Sequence, residues 1–177
     1  MSPYNVLFLC TGNSARSILA EALITHWGAP RFKGFSAGSF PKGQVNPLAL
    51  EVLARHRLPA EGYRSKSWDE FAVPGAPQMH FVFTVCDQAA QEVCPVWPGH
   101  PVSAHWGVAD PAAVEGSHAD RLRAFERAYS ELEARIKLFV SLRLDTLDTR
   151  ALKTNVDAIG QLPPGADPST LASGSRT

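Results

Sequence analysis

Residues 10–17 read Cys-Thr-Gly-Asn-Ser-Ala-Arg-Ser and stand between an apolar run, Asn5 to Leu9, and a stretch with helical spacing. This junction constrains the fold more than any other part of the chain. The run Asn-Val-Leu-Phe-Leu suits a strand buried on both faces. Gly12 and Asn13 tolerate the backbone angles of a tight turn. From Ser17 onward Leu19, Leu23 and Trp27, with Ala22 alongside, recur at helical intervals. Strand, turn and helix in direct succession would gather the loop N–H groups at a helix N-terminus, a setting suited to anions. Cys10 and Arg16 add a nucleophilic sulfur and a planar cation matched to phosphate-like oxygens. The same positive surroundings are expected to keep Cys10 a thiolate near neutral pH. The plainer reading is a chance spacing, with Cys10 a small core residue. The position between strand and helix favours an active site.

Further strands and helices alternate along the chain. Gly34 to Gly38, after Phe32, reads as a second short strand. Asn46 caps a helix that Pro47 opens, running to about Arg57 and burying Leu50, Leu53 and Val52. Residues 58–78 are rich in proline, glycine and charge, with one helical turn expected at Trp68 to Phe71. His80 to Val85 is a third strand with Cys86 at its end, and Asp87 to Glu92 a short helix. Val102 to His105 reads as a fourth strand. Ser117 caps a long helix from His118 to about Leu142, with Leu122, Phe125, Tyr129, Leu132, Ile136 and Phe139 on its apolar face. This alternation predicts an α/β fold, a doubly wound four-stranded parallel sheet with helices on both faces. Ligands of such sheets sit beyond the carboxyl ends of the strands, where Cys10 and Cys86 both fall.

Residues 1–144 form the expected catalytic domain and 145–177 a C-terminal extension. One more helix over 145–161 would use Leu147, Leu152, Val156 and Ile159, and the composition from Pro163 onward is that of a disordered tail. The 17 basic and 17 acidic residues cancel, so neither nucleic acid nor a membrane surface is an expected partner. Without a long apolar segment, the chain is expected to be soluble and cytoplasmic. Three cysteines, an odd and small number, fit catalysis better than a disulfide framework.

The remaining reactive groups leave alternatives open. Asp110, before Pro111, could protonate the leaving oxygen of a bound oxyanion or simply start a turn. Cys86 and Cys94 are either ordinary thiols or a redox pair, with Cys86 near enough to attack Cys10 and Cys94 able to resolve Cys86. A zinc site from Cys86, Cys94, His100 and His105 competes, although the spacing lacks a tight knuckle. His26, His56, His80 and His118 are scattered.

The run from Val6 to Ser17, followed by Ala20-Glu21-Ala22, resembles the low-molecular-weight protein tyrosine phosphatases and the arsenate reductases built on their fold. The likeness continues through Ser36-Ala37-Gly38, Asn46-Pro47 and Asp110-Pro111, and covers about residues 4–142. Three features favour a thioredoxin-linked reductase over the alternative, a phosphatase that hydrolyses phosphomonoesters through a phosphocysteine. Ala15 stands where those phosphatases usually carry a second loop cysteine. Ala112 follows the Asp-Pro where they carry tyrosine. Cys86 and Cys94, with His105-Trp106-Gly107, look like the redox segment of the reductases.

The resemblance implies arsenate held by Thr11, Gly12, Asn13, Ser14, Ala15, Arg16 and Ser17, with phosphate or sulfate as mimics. It implies attack by Cys10 on arsenic, proton donation by Asp110, and a Cys10/Cys86/Cys94 disulfide cascade recycled by thioredoxin or by glutaredoxin and glutathione. It assigns Asn13 to loop organisation and Ser17 to support of the Cys10 thiolate. No tightly bound cofactor is implied, but some relatives bind potassium through an asparagine, a glutamate, a serine and an aspartate. Asn13, Glu21 and Ser36 match, while the aspartate position falls at Ser67. The interval from Cys86 to Cys94 is one residue longer than in the best-known thioredoxin-linked members, and the tail exceeds the usual family length.

Overall fold

The computed structural model describes residues 2–91, 97 and 99–163. Four strands, β1 (Tyr4–Leu9), β2 (Phe32–Ala37), β3 (Phe81–Thr84) and β4 (Val102–His105), form one sheet in the order β2-β1-β3-β4. Every pairing is parallel. Because side chains alternate across a strand, Val6 and Phe8 face one side with Phe81 and Phe83, while Leu7, Leu9 and Val82 face the other. Both sides are dry, which explains why β1 and β3 read as continuous apolar runs.

The first face carries most of the core. Here α1 (Arg16–Gly28), α2 (Pro47–Arg55), α4 (His118–Val140) and α5 (Thr149–Gly160) pack around Phe83, Phe125, Phe139 and the fully buried Trp106. Short α3 (Asp87–Gln91) follows β3. The second face is covered by the 3-10 turn Trp68–Phe71 together with Met79 and Trp97. Helical segments therefore lie on both faces of a doubly wound parallel sheet.

Local chemistry sets the helix starts. The Asn46 side chain accepts from the Leu48 N–H, with Pro47 at the first helical position. Ser117 and Asp120 form a reciprocal capping box at the start of α4. Several ends differ from expectation: α2 stops at Arg55, where Arg57 takes a left-handed backbone (φ 59°), and α4 stops at Val140.

Two apolar faces also differ. In α2 the buried residues are Leu48, Ala49, Val52 and Leu53, with Leu50 only partly covered. In α1 the core side is Ile18, Leu19, Ala20, Ala22, Leu23 and Ile24, whereas Trp27 is 41% exposed. Its indole donates to Glu133 at 3.3 Å and lies under the Lys137 ammonium, 4.4 Å from the ring centre. A helix flanked by both sheet and α4 buries a face too wide for simple spacing to assign. The final helix is confined to Thr149–Gly160 and seats Val156 and Ile159 in the core. The tail expected from Pro163 onward lies, beyond Pro163 itself, outside the described residues.

Candidate active site

The strand order reverses direction between β1 and β3, the place where the carboxyl ends of a doubly wound sheet open a crevice. Cys10 leaves β1 on one side of it and Cys86 leaves β3 on the other, joined across the sheet by the Val85 N–H donating to the Leu9 carbonyl at 2.9 Å. The loop from Cys10 to Arg16 lines a cavity of about 230 Å³, with Phe40, Lys42, Asp110 and Ala112 completing its wall.

The loop is shaped from outside. Phe40 N–H donates to the Thr11 carbonyl at 3.0 Å, Lys42 N–H to Gly12 at 2.9 Å, and Asn46 N–H to Ser14 at 2.8 Å. In a trans peptide the N–H points away from the preceding carbonyl. Drawing these three carbonyls outward aims the N–H groups of Gly12, Asn13 and Ala15 inward, and that of Gly12 donates to the Cys10 sulfur. Gly38 permits the approach, because a Cβ there would collide with the carbonyl oxygens of Cys10 and Thr11.

Asn13 is fully buried in the left-handed region (φ 43°), a conformation asparagine tolerates better than most residues. Its side-chain N–H donates to Ser17 Oγ at 2.8 Å, and its carbonyl accepts from the Lys66 N–H at 2.9 Å. Both Asn13 and Ser17 are thus committed to holding the turn.

Arg16 Nη1 donates to the Val108 carbonyl at 2.9 Å, and Nη2 lies 3.7 Å from Asp110 Oδ2. The other carboxyl oxygen of Asp110 accepts from the Ala112 N–H at 3.0 Å and caps the 3-10 turn Pro111–Ala113. The turn-forming and acid readings of Asp110 are therefore compatible: one oxygen starts the turn while the other reaches the mouth of the cavity.

Cys10 and Cys86 are both buried and free. The neighbouring Cys86 thiol, followed by burial, pushes the Cys10 thiol well above its ordinary range, against the opposing pull of Arg16 and the Gly12 N–H. The Cys10 thiol in turn pulls Cys86 down to about 5, with help from the Ala89 N–H at 3.3 Å and from Thr11, whose Oγ1 lies 3.6 Å from the sulfur. The two thiols therefore titrate as a coupled pair rather than independently. The expectation of an isolated Cys10 thiolate counted Arg16 and the loop amides but not the Cys86 thiol, the largest influence on Cys10.

Of the proposed zinc set, His105 is turned elsewhere, with its ring nitrogens 2.8 Å from Thr84 Oγ1 and 2.8 Å from Asp87 Oδ1. Among the described residues no group of three or more His, Cys, Asp or Glu is arranged to hold a metal. Cys94 lies outside the described residues.

The potassium residues do not fit a metal ion. The buried Lys66 ammonium sits 3.8 Å from Glu21 Oε1 and donates to Ser36 Oγ at 3.4 Å and to the Arg64 carbonyl at 3.0 Å. Ser67 Oγ meanwhile accepts from the Asp69 N–H at 3.2 Å. Lys66, Lys42 and Phe40 were not recognised from sequence. Their loops have no periodicity, and only a buried lysine beside Glu21 would have given Lys66 away.

A profile of the family described as low molecular weight phosphotyrosine protein phosphatase matches residues 5–155. The chain belongs to this family. Among its relatives, an arsenate reductase of Shouchella clausii is 36% identical over 139 residues, covering 78% of this chain and 96% of that protein. The crystal structure of an arsenate reductase from Archaeoglobus fulgidus superposes with a TM-score of 0.61 at 28% identity, covering 77% of this chain and 99% of the other. A thioredoxin-dependent arsenate reductase of Corynebacterium glutamicum gives a TM-score of 0.54 at 27% identity over 78% of this chain and 64% of that one. Among the described residues no helix is long and apolar enough to cross a membrane.

Proposed function

We propose that the chain is an arsenate reductase that converts arsenate to arsenite with electrons from its own thiols. The observation carrying this reading is the placement of two free, buried thiols, Cys10 and Cys86, at the carboxyl ends of the neighbouring strands β1 and β3, with Thr11, the residue after Cys10, 3.6 Å from the Cys86 sulfur. Hydrolysis of a phosphomonoester needs one nucleophilic sulfur. Reduction of As(V) to As(III) takes two electrons, which two thiols in reach of each other supply.

In this mechanism the proton of the coupled pair resides on Cys86, leaving the charge on Cys10 beside Arg16. The Cys10 thiolate forms a bond to arsenic while Asp110 protonates the departing oxygen, which leaves as water. Loop N–H groups and Arg16 hold the remaining oxygens. Cys86 then gives its proton to an arsenic-bound oxygen and attacks the Cys10 sulfur. A Cys10–Cys86 disulfide forms, the sulfur–arsenic bond breaks, and its electron pair stays on arsenic, releasing arsenite. Cys94 is assigned the next exchange, attacking Cys86 to free Cys10. An external dithiol reduces the resulting Cys86–Cys94 disulfide. We favour thioredoxin as that donor, on the likeness to the Corynebacterium protein, with glutaredoxin and glutathione as the alternative system. A cytoplasmic setting follows from this chemistry, since such donors keep thiols reduced there.

The test compares wild type with Cys86→Ser in two assays. Multiple-turnover arsenate reduction coupled to NADPH through thioredoxin and thioredoxin reductase should vanish in the variant. Hydrolysis of an aryl phosphate, which needs only Cys10, Arg16 and Asp110, should persist. Equal loss of both would remove the redox reading. Wild-type hydrolysis without arsenate turnover by either donor system would identify a phosphatase.

A further inference from the structure

Beneath the oxyanion loop lies a buried charge pair that the proposed chemistry does not use. Lys66 and Glu21 expose only 7% and 13% of their side chains, and Ser36, between them, is fully buried. Ser36 Oγ donates to Glu21 Oε1 at 3.2 Å and receives a hydrogen bond from the Lys66 ammonium at 3.4 Å. The main chain of Lys66 grips the loop directly. Its N–H donates to Asn13 Oδ1 at 2.9 Å, and its carbonyl accepts from the Gly38 N–H at 2.9 Å. Asn13 then reaches Ser17, so one residue links the turn of the loop, the start of α1 and the buried carboxylate.

The residues that would surround a monovalent cation here are Asn13, Glu21, Ser36 and the residue at 67. In this chain Glu21 and Ser36 already coordinate an ammonium, and Ser67 supplies no carboxylate. A metal ion added to this arrangement would put two positive charges against one buried carboxylate. Burial disfavours each charge, raising Glu21 and lowering Lys66, and each is the main opposing influence on the other. The two charges therefore depend on one another.

We propose that the Lys66 ammonium is a covalently tethered substitute for a monovalent cation, fixing Asn13 and the oxyanion loop so that anion binding is independent of potassium. Lys66 is a positioning residue, acting through Asn13 and Glu21 rather than on the bound anion. The inference needs only an oxyanion-binding loop, which the reductase and phosphatase readings share. Binding of inorganic phosphate therefore tests it without either turnover assay.

The experiment is calorimetric titration of phosphate into the intact protein in potassium, sodium and ammonium chloride at equal ionic strength. Wild type should show the same affinity in all three, within about twofold. Lys66→Ala should bind phosphate about tenfold more weakly in sodium, the cost of an unpaired buried carboxylate, and recover in potassium or ammonium, which can enter the vacated space. The double variant Lys66→Ala/Glu21→Gln should lose that recovery. Should Lys66→Ala not fold, Lys66→Gln keeps a donor for Ser36 and the Arg64 carbonyl without the charge while filling the space, and should bind phosphate more weakly than wild type in all three salts; unchanged affinity there would overturn the proposal. A severalfold tightening of wild-type phosphate binding by potassium would overturn the proposal. So would a variant of lower thermal stability whose phosphate affinity and cation response match wild type, because that is the behaviour of a merely structural lysine.

Discussion

The indole N–H of Trp106 donates to the backbone carbonyl of Val156 at 2.9 Å, fully buried, and ties α5 to the end of β4. Trp106 also stacks on Phe83 with ring centres 3.9 Å apart, so the bond anchors α5 to the middle of the sheet. We propose that the chemistry resides within residues 1–144 and that 145–160 supplies stability. Truncation after Leu144 should lower the unfolding free energy by on the order of 5 kcal/mol, from the bared Trp106 donor and the lost burial of Val156 and Ile159. Val156→Ala should cost about 2 kcal/mol. Chemical denaturation of the three proteins checks both values.

The opposed shifts of the two thiols make stability depend on pH in a definite direction. Cys86 is depressed to about 5 from a usual thiol value of 9.0, so its contribution grows as pH rises from about 5 towards 9.0 and is lost on acidification. Cys10 is raised above 9.0, so its contribution is present below that value and declines as the unfolded thiol ionises. Together they place a maximum near pH 9.0 in the thiol-dependent part of stability. The difference in melting temperature between wild type and Cys86→Ser, followed from pH 5 to 10, should widen to that point and then narrow. A pH-independent difference would show that the two thiols do not titrate as a pair.

Gly38 lies against the carbonyls of Cys10 and Thr11, and the Cβ of alanine has no room there. Gly38→Ala should cost about 1–3 kcal/mol of stability through overpacking. It should also weaken phosphate binding, because the carbonyls it displaces set the direction of the loop N–H groups. Thermal melting and phosphate titration of the same preparation measure the two effects together.

Asp110→Asn preserves an acceptor for the Ala112 N–H but cannot release a proton to a leaving oxygen. Aryl phosphate hydrolysis should fall by about 10²–10⁴-fold in kcat, while phosphate affinity stays within about threefold, since the carboxylate lies 3.7 Å from Arg16 on an exposed turn. A parallel loss of affinity and turnover would assign Asp110 to orienting Arg16 instead.

Elements governed by local chemistry were legible from sequence. The caps at Asn46 and Ser117, the apolar runs of β1 and β3 and the turn at Trp68–Phe71 each have a short-range physical cause. The loop of residues 10–17 was legible for the same reason, because its function and its backbone use the same contiguous residues. What escaped was produced by packing between distant segments. Trp27 follows the helical spacing yet faces outward, since α4 offers it Glu133 and Lys137. The Cys10 thiol is governed by a sulfur 76 positions away, as 86 − 10 gives from the numbering, and Lys66 becomes a buried cation only when the segment after residue 58 folds back under the loop.

The parallel order of the strands also decides when during synthesis the site can exist. β1 is made first, yet it occupies the interior of the sheet, with β3 as one neighbour and Leu9 paired to Thr84. A nascent chain therefore carries its cysteine and arginine through nearly half of its length before the neighbouring strand exists. Such long-range pairing is slow to form and leaves an apolar strand uncovered meanwhile. The oxyanion loop is a late product of folding, complete only after the strand bearing the second sulfur has been laid alongside the first.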